Sequence, residues 1–287
     1  MTLRKSRKND ADVTELNNAA KTLLANIRFM DVDDPIKTIV ITSSIPNEGK
    51  SFVAERLSEA IATSGKSVLL MEGDLRRRTL AHRVGVHARH GLYSVLAGST
   101  SPSDAIVITH VPYMYFLDAE PNIPNPSDLF NSHRFATFMS GLANSYDYVV
   151  IDTPPVGAFI DAAVLSHMAD ATLLIVRENF TKRDQIKDAY EQLQKAGGNV
   201  TGVVMNYCKH QSNEYYYSYY YNDADEDSAP SFKASTVAHP RTAQTAPRQT
   251  SKTVHQHVRS QQVSSVGTVD YTPEAKPHRN PYLNNRA

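Results

Sequence analysis

Lys37-Thr38-Ile39-Val40-Ile41-Thr42-Ser43-Ser44-Ile45-Pro46-Asn47-Glu48-Gly49-Lys50-Ser51 is the stretch whose reading decides the fold. Its β-branched, apolar start predicts a buried strand. A polar loop follows, and Phe52, Val53, Leu57 and Ile61 then recur at helical spacing. A strand, a loop ending in Gly-Lys-Ser and a helix make a phosphate-binding loop. Backbone N–H groups at a helix N-terminus point at an anion, the helix dipole favours it, and Lys50 adds a full charge. The Ser51 hydroxyl is placed to hold a magnesium ion that bridges the terminal phosphates. Ser44 stands where the general pattern opens with glycine, and Asn47 where a second loop glycine is common. A small residue and one tolerant of positive φ still allow the loop.

The strands beyond it extend the pattern. Ser67–Met71, Tyr113–Leu117, Asp147–Asp152, Ala171–Val176 and Val200–Asn206 read as five more, separated by helix-length segments. One helix is expected to start at Asn125 or Ser127 and run through Phe130, Phe135, Phe138, Met139 and Leu142. Strands alternating with helices predict an α/β fold, a mostly parallel central sheet with helices on both faces. Ahead of it, residues 1–35 hold a basic start, Arg4-Lys5-Ser6-Arg7-Lys8, and an amphipathic helix marked by Val13, Leu16, Ala20, Leu23, Leu24 and Ile27. The nucleotide-binding domain is placed at 36–210, a tyrosine cluster with an acidic flank at 211–227, and a disordered tail at 228–287, where Ser, Thr, Gln, His and Pro leave too little to bury.

Composition narrows the classes. Lys plus Arg and Asp plus Glu both count 30, so overall charge carries no signal for nucleic acid. The single cysteine, Cys208, excludes an internal disulfide and suits a reducing compartment. No apolar run approaches the ~20 residues a membrane-spanning helix needs. The expectation is a cytosolic chain.

In a parallel sheet, ligands bind beyond the C-terminal strand ends. The phosphate loop, Glu72 with Asp74, and Asp152 all fall there. Asp152, in Val149-Val150-Ile151-Asp152-Thr153-Pro154-Pro155, reads as the aspartate that holds magnesium directly or through water. Glu72 and Asp74 read either as a base and a metal contact for an incoming nucleophile or as exposed carboxylates capping the next helix. Arg76 to Arg78 are either phosphate or substrate contacts or a solvated face, the second favoured for Arg77 and Arg78. Asp161 reads as structural. Asn206 either hydrogen-bonds an adenine edge or forms a turn. The histidines show no ligand spacing. Tyr215, Tyr216, Tyr217, Tyr219, Tyr220 and Tyr221 have no face to bury and read as a phosphoacceptor array tethered near the site or as an adhesive interaction segment.

Ser44–Ser51, Leu69-Leu70-Met71-Glu72-Gly73-Asp74-Leu75-Arg76, Val149–Pro155 and the tyrosine cluster together resemble the bacterial tyrosine kinases of the polysaccharide co-polymerase system, over roughly residues 12–221. The resemblance implies transfer of the γ-phosphoryl group of ATP to tyrosine with Mg2+. Ser44, Asn47, Glu48, Gly49, Lys50, Ser51, Phe52 and Asn206 would bind nucleotide, and Ser51, Asp74 and Asp152 the metal. Lys50, Glu72 and Asp74 would be catalytic, with Glu72 accepting or orienting the tyrosine hydroxyl. It implies control of capsular or extracellular polysaccharide length and export, and recruitment to the inner membrane face by a membrane-spanning activator. It also implies a cognate tyrosine phosphatase, sugar-pathway enzymes as further substrates, and association of copies in a ring. The chain departs from the family pattern in three places. Glu72 replaces an aspartate. Asn18, Lys21 and Leu24 occupy the positions of a Glu-Arg-Arg ring contact. Residues 222–287 extend past the tyrosines. Two other readings compete: a positioning ATPase of the septum-site or plasmid-partition kind, which carries a lysine where this chain has Ile45, and a catalytically weak scaffold.

Overall fold

A computed structural model describes residues 3–30, 35–121, 123 and 125–208. The tyrosine cluster and the tail lie outside the described residues. Seven strands form one sheet in the order β3-β4-β2-β5-β1-β6-β7. They are β1 (Thr38–Ser43), β2 (Val68–Glu72), β3 (Ile106–Ile108), β4 (Met114–Leu117), β5 (Tyr148–Asp152), β6 (Ala171–Arg177) and β7 (Val200–Asn206). Every pairing is parallel except β3 with β4.

The helices are α1 (Leu3–Phe29), α2 (Lys50–Thr63), α3 (Leu80–Arg83), α4 (Leu92–Leu96), α5 (Pro102–Ala105), α6 (Pro126–Phe130), α7 (His133–Ser145), α8 (Asp161–Met168) and α9 (Arg183–Lys195). Strand alternation sorts the core onto two faces. Ile39, Ile41, Leu70, Val150 and Leu173 pack under α1 and α2 with Leu57, Ile61 and Phe116. Val40, Leu69, Met71, Val149 and Ile151 turn the other way, toward Phe130, Phe135 and Leu142 of α6 and α7. Leu174 and Val176 meet Ala189 and Leu193 of α9. The central strands are therefore covered on both sides, which is why they read as unbroken apolar runs.

The structure adds one strand and divides one helix. β3 is a three-residue antiparallel edge, too short to show a period of its own. The single helix expected from Asn125 or Ser127 is two: α6 stops at Asn131, and Ser132 starts α7 by accepting the Phe135 amide at 3.2 Å. Asn125 precedes α6 in a left-handed conformation without a side-chain cap. In α1, Leu24 is 4 % exposed and packs, with Ala20 and Ile27, into the chain's own core.

Candidate functional site

The sheet's register brings the sequence motifs to one rim. Glu72 sits opposite Asp152 across β2 and β5, and Asp152 opposite Ile41 across β5 and β1. Beyond β1 the chain enters the loop and then α2. Asn47 (φ 68°) and Gly49 (φ 89°) both adopt the left-handed region. At Gly49 no other residue fits, because a Cβ there would also collide with the Asn206 side-chain amide. The amides of Lys50, Ser51 and Phe52 open α2 and have no acceptor within the helix. They form the anion-facing end of a fourteen-residue dipole. The turn after β5 is stitched to β1 by Val156 N to Ser43 O (2.9 Å) and Thr42 Oγ1 to Pro154 O (3.0 Å).

Asp152 is 1 % exposed, and neither of its carboxylate oxygens has a hydrogen-bond partner of ordinary geometry. Burial pushes its carboxyl up, against the pull of the Lys50 charge and the Ser51 hydroxyl. Asp74, also buried, is raised by desolvation too; the Arg77 amide (2.9 Å) and Lys50 pull it the other way. An orphaned buried carboxylate beside a loop hydroxyl and a lysine is a donor set that fits a hard divalent cation and the phosphates it accompanies. Among the described residues, no cluster of three or more His, Cys, Asp or Glu side chains could hold a metal ion unaided.

Glu72 is wholly buried. Its Oε2 accepts the amides of Thr79 (2.7 Å) and Leu80 (3.0 Å) at the start of α3, while Oε1 holds only a 3.3 Å contact to the Asp74 amide. Burial pushes its carboxyl up to about 8, the facing Asp152 charge adds to this, and the Leu80 and Thr79 amides oppose it. A carboxyl raised from its ordinary 4.5 binds a proton in the folded chain that the unfolded chain has lost. Its stabilising contribution is complete below about pH 4.5 and disappears as pH climbs through about 8. The melting temperature of the nucleotide-free protein is accordingly expected to fall between pH 5 and 8. Glu72→Gln, which mimics the protonated acid, should flatten that slope; an unchanged slope in calorimetry would remove Glu72 as its cause.

The remaining residues of the loop face the protein as much as the cavity. The Glu48 carboxylate is buried and accepts the amides of Ile45 (2.8 Å) and Arg177 (3.3 Å) and the Thr181 hydroxyl. It therefore ties the loop to the β6–α9 connection. Asn206 donates to Glu48 O at 2.9 Å and accepts the Tyr207 amide. The ring of Phe52 lies near the guanidinium groups of Arg56 and Arg83, at 5.7 and 5.4 Å. The Ser44 hydroxyl is buried without a partner, and Asn47 is exposed.

Two arginines sharpen the sequence reading. Arg78 is exposed, as a solvated face would have it, yet it is paired: it grips buried Asp118 through Nε (3.2 Å) and Nη2. Arg76 donates to Asp161, which is 1 % exposed, and lies 4.3 Å from the Phe159 ring. Asp161 is thereby tied to the β2 loop, as a structural residue would be. Sequence reasoning missed Thr79, whose hydroxyl reaches Ser51 Oγ at 3.1 Å. It also missed Arg177, although Arg177 ends a strand on the same rim. The rule that placed Asp152 would have found it.

A parallel sheet whose first strand runs into a lysine-bearing loop at a helix N-terminus, with an unpartnered aspartate on the adjacent strand, defines a phosphate-loop nucleotide-binding domain. The model of the AAA domain family matches residues 36–197. Within that class the likeness is narrower. The tyrosine-protein kinase YwqD of Bacillus subtilis is 34 % identical over 199 residues, which cover 68 % of this chain and 84 % of that protein. The kinase domain of Escherichia coli tyrosine kinase ETK superposes with a TM-score of 0.64 at 29 % identity, over 68 % of this chain and 76 % of that one. The chain belongs to the bacterial tyrosine-protein kinase family. The septum-site-determining protein MinD of Pyrococcus horikoshii, solved with Mg-ADP, shares the fold at a TM-score of 0.53 and 25 % identity, over 61 % of this chain and 72 % of that one.

Proposed function

We propose that this rim binds ATP with Mg2+ and transfers the γ-phosphoryl group to tyrosine, with Tyr215, Tyr216, Tyr217, Tyr219, Tyr220 and Tyr221 as acceptors. The observation that carries the proposal is the buried, partnerless Asp152 carboxylate set against Lys50 and Ser51. Gly49, Lys50, Ser51 and Phe52 contribute backbone N–H groups to the phosphates, and the Lys50 ammonium follows the charge that develops on the transferred group. Ser44 and Asn47 shape the loop, while Glu48 and Asn206 hold it closed, with Asn206 bordering the base. Mg2+, held by Ser51, Asp74 and Asp152, would neutralise phosphate charge.

A phenol oxygen bonds to the γ-phosphorus as the bond to the β,γ-bridging oxygen breaks and ADP leaves. Glu72 takes the phenol's proton. Its Oε2 is anchored on α3, so Oε1 is the oxygen available; with the carboxyl pushed up to about 8, it is the ionised form of Glu72 that accepts the proton, and that form is a stronger base than an ordinary carboxylate. Because Glu72 is wholly buried, the turn from Arg76 to Thr79 has to open for a phenol to reach it.

The role that goes with this chemistry is control of capsular or extracellular polysaccharide length and export. Among the described residues, no helix is long and apolar enough to cross a membrane. A membrane-spanning activator protein would recruit the chain to the inner membrane face. A cognate phosphatase would reset the cluster, and sugar-pathway enzymes would be further substrates. Leu24 is committed to the chain's own core, so any ring of copies would rest on contacts other than this one.

The test is a peptide map of the purified full chain after incubation with ATP and Mg2+, with and without the cytosolic tail of the activator. Phosphate on the 215–221 peptide is the expected result. Steady ATP hydrolysis with unmodified tyrosines would favour the positioning-ATPase reading instead.

A further inference from the structure

β7 ends against the nucleotide loop, and the residue that follows it is a tyrosine in an unusual setting. Tyr207 has φ 57°, in the left-handed region, and is 58 % exposed. Its amide donates to Asn206 Oδ1 at 2.9 Å. Its ring edge lies 3.2 Å from the point a Gly49 Cβ would occupy, so the phenol ring rests on the loop itself. The Arg177 guanidinium sits 4.4 Å from this ring and 4.6 Å from that of Phe180, and Nη1 reaches Asn47 O at 3.4 Å. A solvent-exposed phenol, a guanidinium beside it and the turn that would cradle phosphates thus share one corner of the molecule.

We infer that Tyr207 is itself a phosphorylation site, outside the 215–221 cluster, whose phosphate is received by Arg177 and weakens nucleotide binding. The inference rests on the tyrosine-kinase reading above. The donor is ATP on a second copy of the chain. The Tyr207 oxygen bonds to the γ-phosphorus, the bond to the bridging oxygen breaks, ADP leaves, and the phenol's proton passes to a carboxylate of the acting copy.

Transfer within one copy is disfavoured by distance. β2 and β7 are four positions apart in the sheet order. At ~4.8 Å per strand that separation is roughly 19 Å, and Glu72 and Asp74 stand at the β2 end. Once formed, the phosphate carries about −1.5 to −2 charges with three acceptor oxygens. A guanidinium presents a planar fork that matches such oxygens better than it does a ring face. Drawing Arg177 onto the phosphate takes its Nη1 from Asn47 O. It also sets a dianion beside a loop built to hold anionic phosphates. Both effects act against the next nucleotide. Tyr207 would then work as a product-linked brake, separate from any effect of the cluster.

The experiment mixes wild-type chain with full-length Lys50→Met chain as acceptor, in ATP and Mg2+, and maps phosphate on the acceptor's peptides. Phosphate at Tyr207 of the Lys50→Met chain is expected. In parallel, Mg·ADP affinity is followed by titration as wild-type and Tyr207→Phe chains become phosphorylated. The wild type should weaken by about tenfold as Tyr207 fills, and Tyr207→Phe should hold its affinity. A labelled 215–221 peptide with Tyr207 unmodified would overturn this inference and leave the kinase reading standing. So would equal loss of affinity in both chains. No phosphotyrosine anywhere on the acceptor or the donor would overturn both.

Discussion

Replacing Lys50 by Met is expected to lower tyrosine phosphorylation by at least about a hundredfold while leaving the fold in place. Lys50 is the first residue of α2 and 9 % exposed. Methionine fills the same unbranched volume and favours a helix almost as well, so far-ultraviolet circular dichroism should not change. What the substitution removes is the one full positive charge at the phosphate end of α2, the same charge that opposes the raising of Asp74 and Asp152. Without it, burial and a neighbouring carboxylate (Asp161 for Asp74, Asp74 for Asp152) act on both groups unopposed by a lysine. The measurement is the initial rate of phosphate incorporation in wild-type and Lys50→Met chains. Less than a tenfold difference would place the phosphates elsewhere.

Asp152→Asn should separate stability from activity. The wild-type carboxylate is buried without partners, a state that costs free energy unless a cation or a proton relieves it. Asparagine keeps the shape and removes the charge. The nucleotide-free variant should therefore melt at or above the wild-type temperature at pH 8, where the charge is most costly. Glu72 should titrate lower as well, because the Asp152 charge is one of the causes that raise it. Metal-dependent transfer should fall by about two to three orders of magnitude, the loss typical of removing one transition-state charge stabiliser. A variant that melts well below wild type yet retains transfer would show that Asp152 is a structural residue and not a metal ligand.

The parts of the fold that were legible in the sequence are those whose cause is local. A β-branched run, a loop of fixed length and a helix start identify β1, the loop and α2 because each signal lies within about fifteen consecutive residues. Asp152 was legible because β5 ends abruptly in a charge. Legibility failed where partners are distant in sequence or elements are short. Nothing local predicts that Arg78 meets Asp118, 40 residues away, or that Glu48 turns inward to the Arg177 amide, 129 residues away. β3 spans three residues, fewer than a two-residue period needs to declare itself. The break between α6 and α7 turns on Ser132 capping, a signal that the continuing apolar spacing of Phe130, Phe135 and Leu142 conceals. The sequence placed Glu72 and Asp74 at a strand end, either in the site or capping the next helix. Glu72 does cap the next helix, α3, but from a wholly buried position and not the exposed one expected, since the strand gives way to a turn at Gly73, where a Cβ would lie 2.6 Å from Asp152 O.

The central claim is that a magnesium-bound nucleotide occupies the turn at Gly49, Lys50 and Ser51, and thermal unfolding with and without Mg·ADP tests it most directly. A ligand at a hundred times its dissociation constant stabilises the folded state by about 2.7 kcal/mol, which for a domain of this size raises the melting temperature by roughly 5–10 °C. A rise of that order is expected for the wild type, largely lost in Asp152→Asn and when Mg2+ is chelated. A melting temperature indifferent to Mg·ADP, or raised equally in Asp152→Asn, would contradict it.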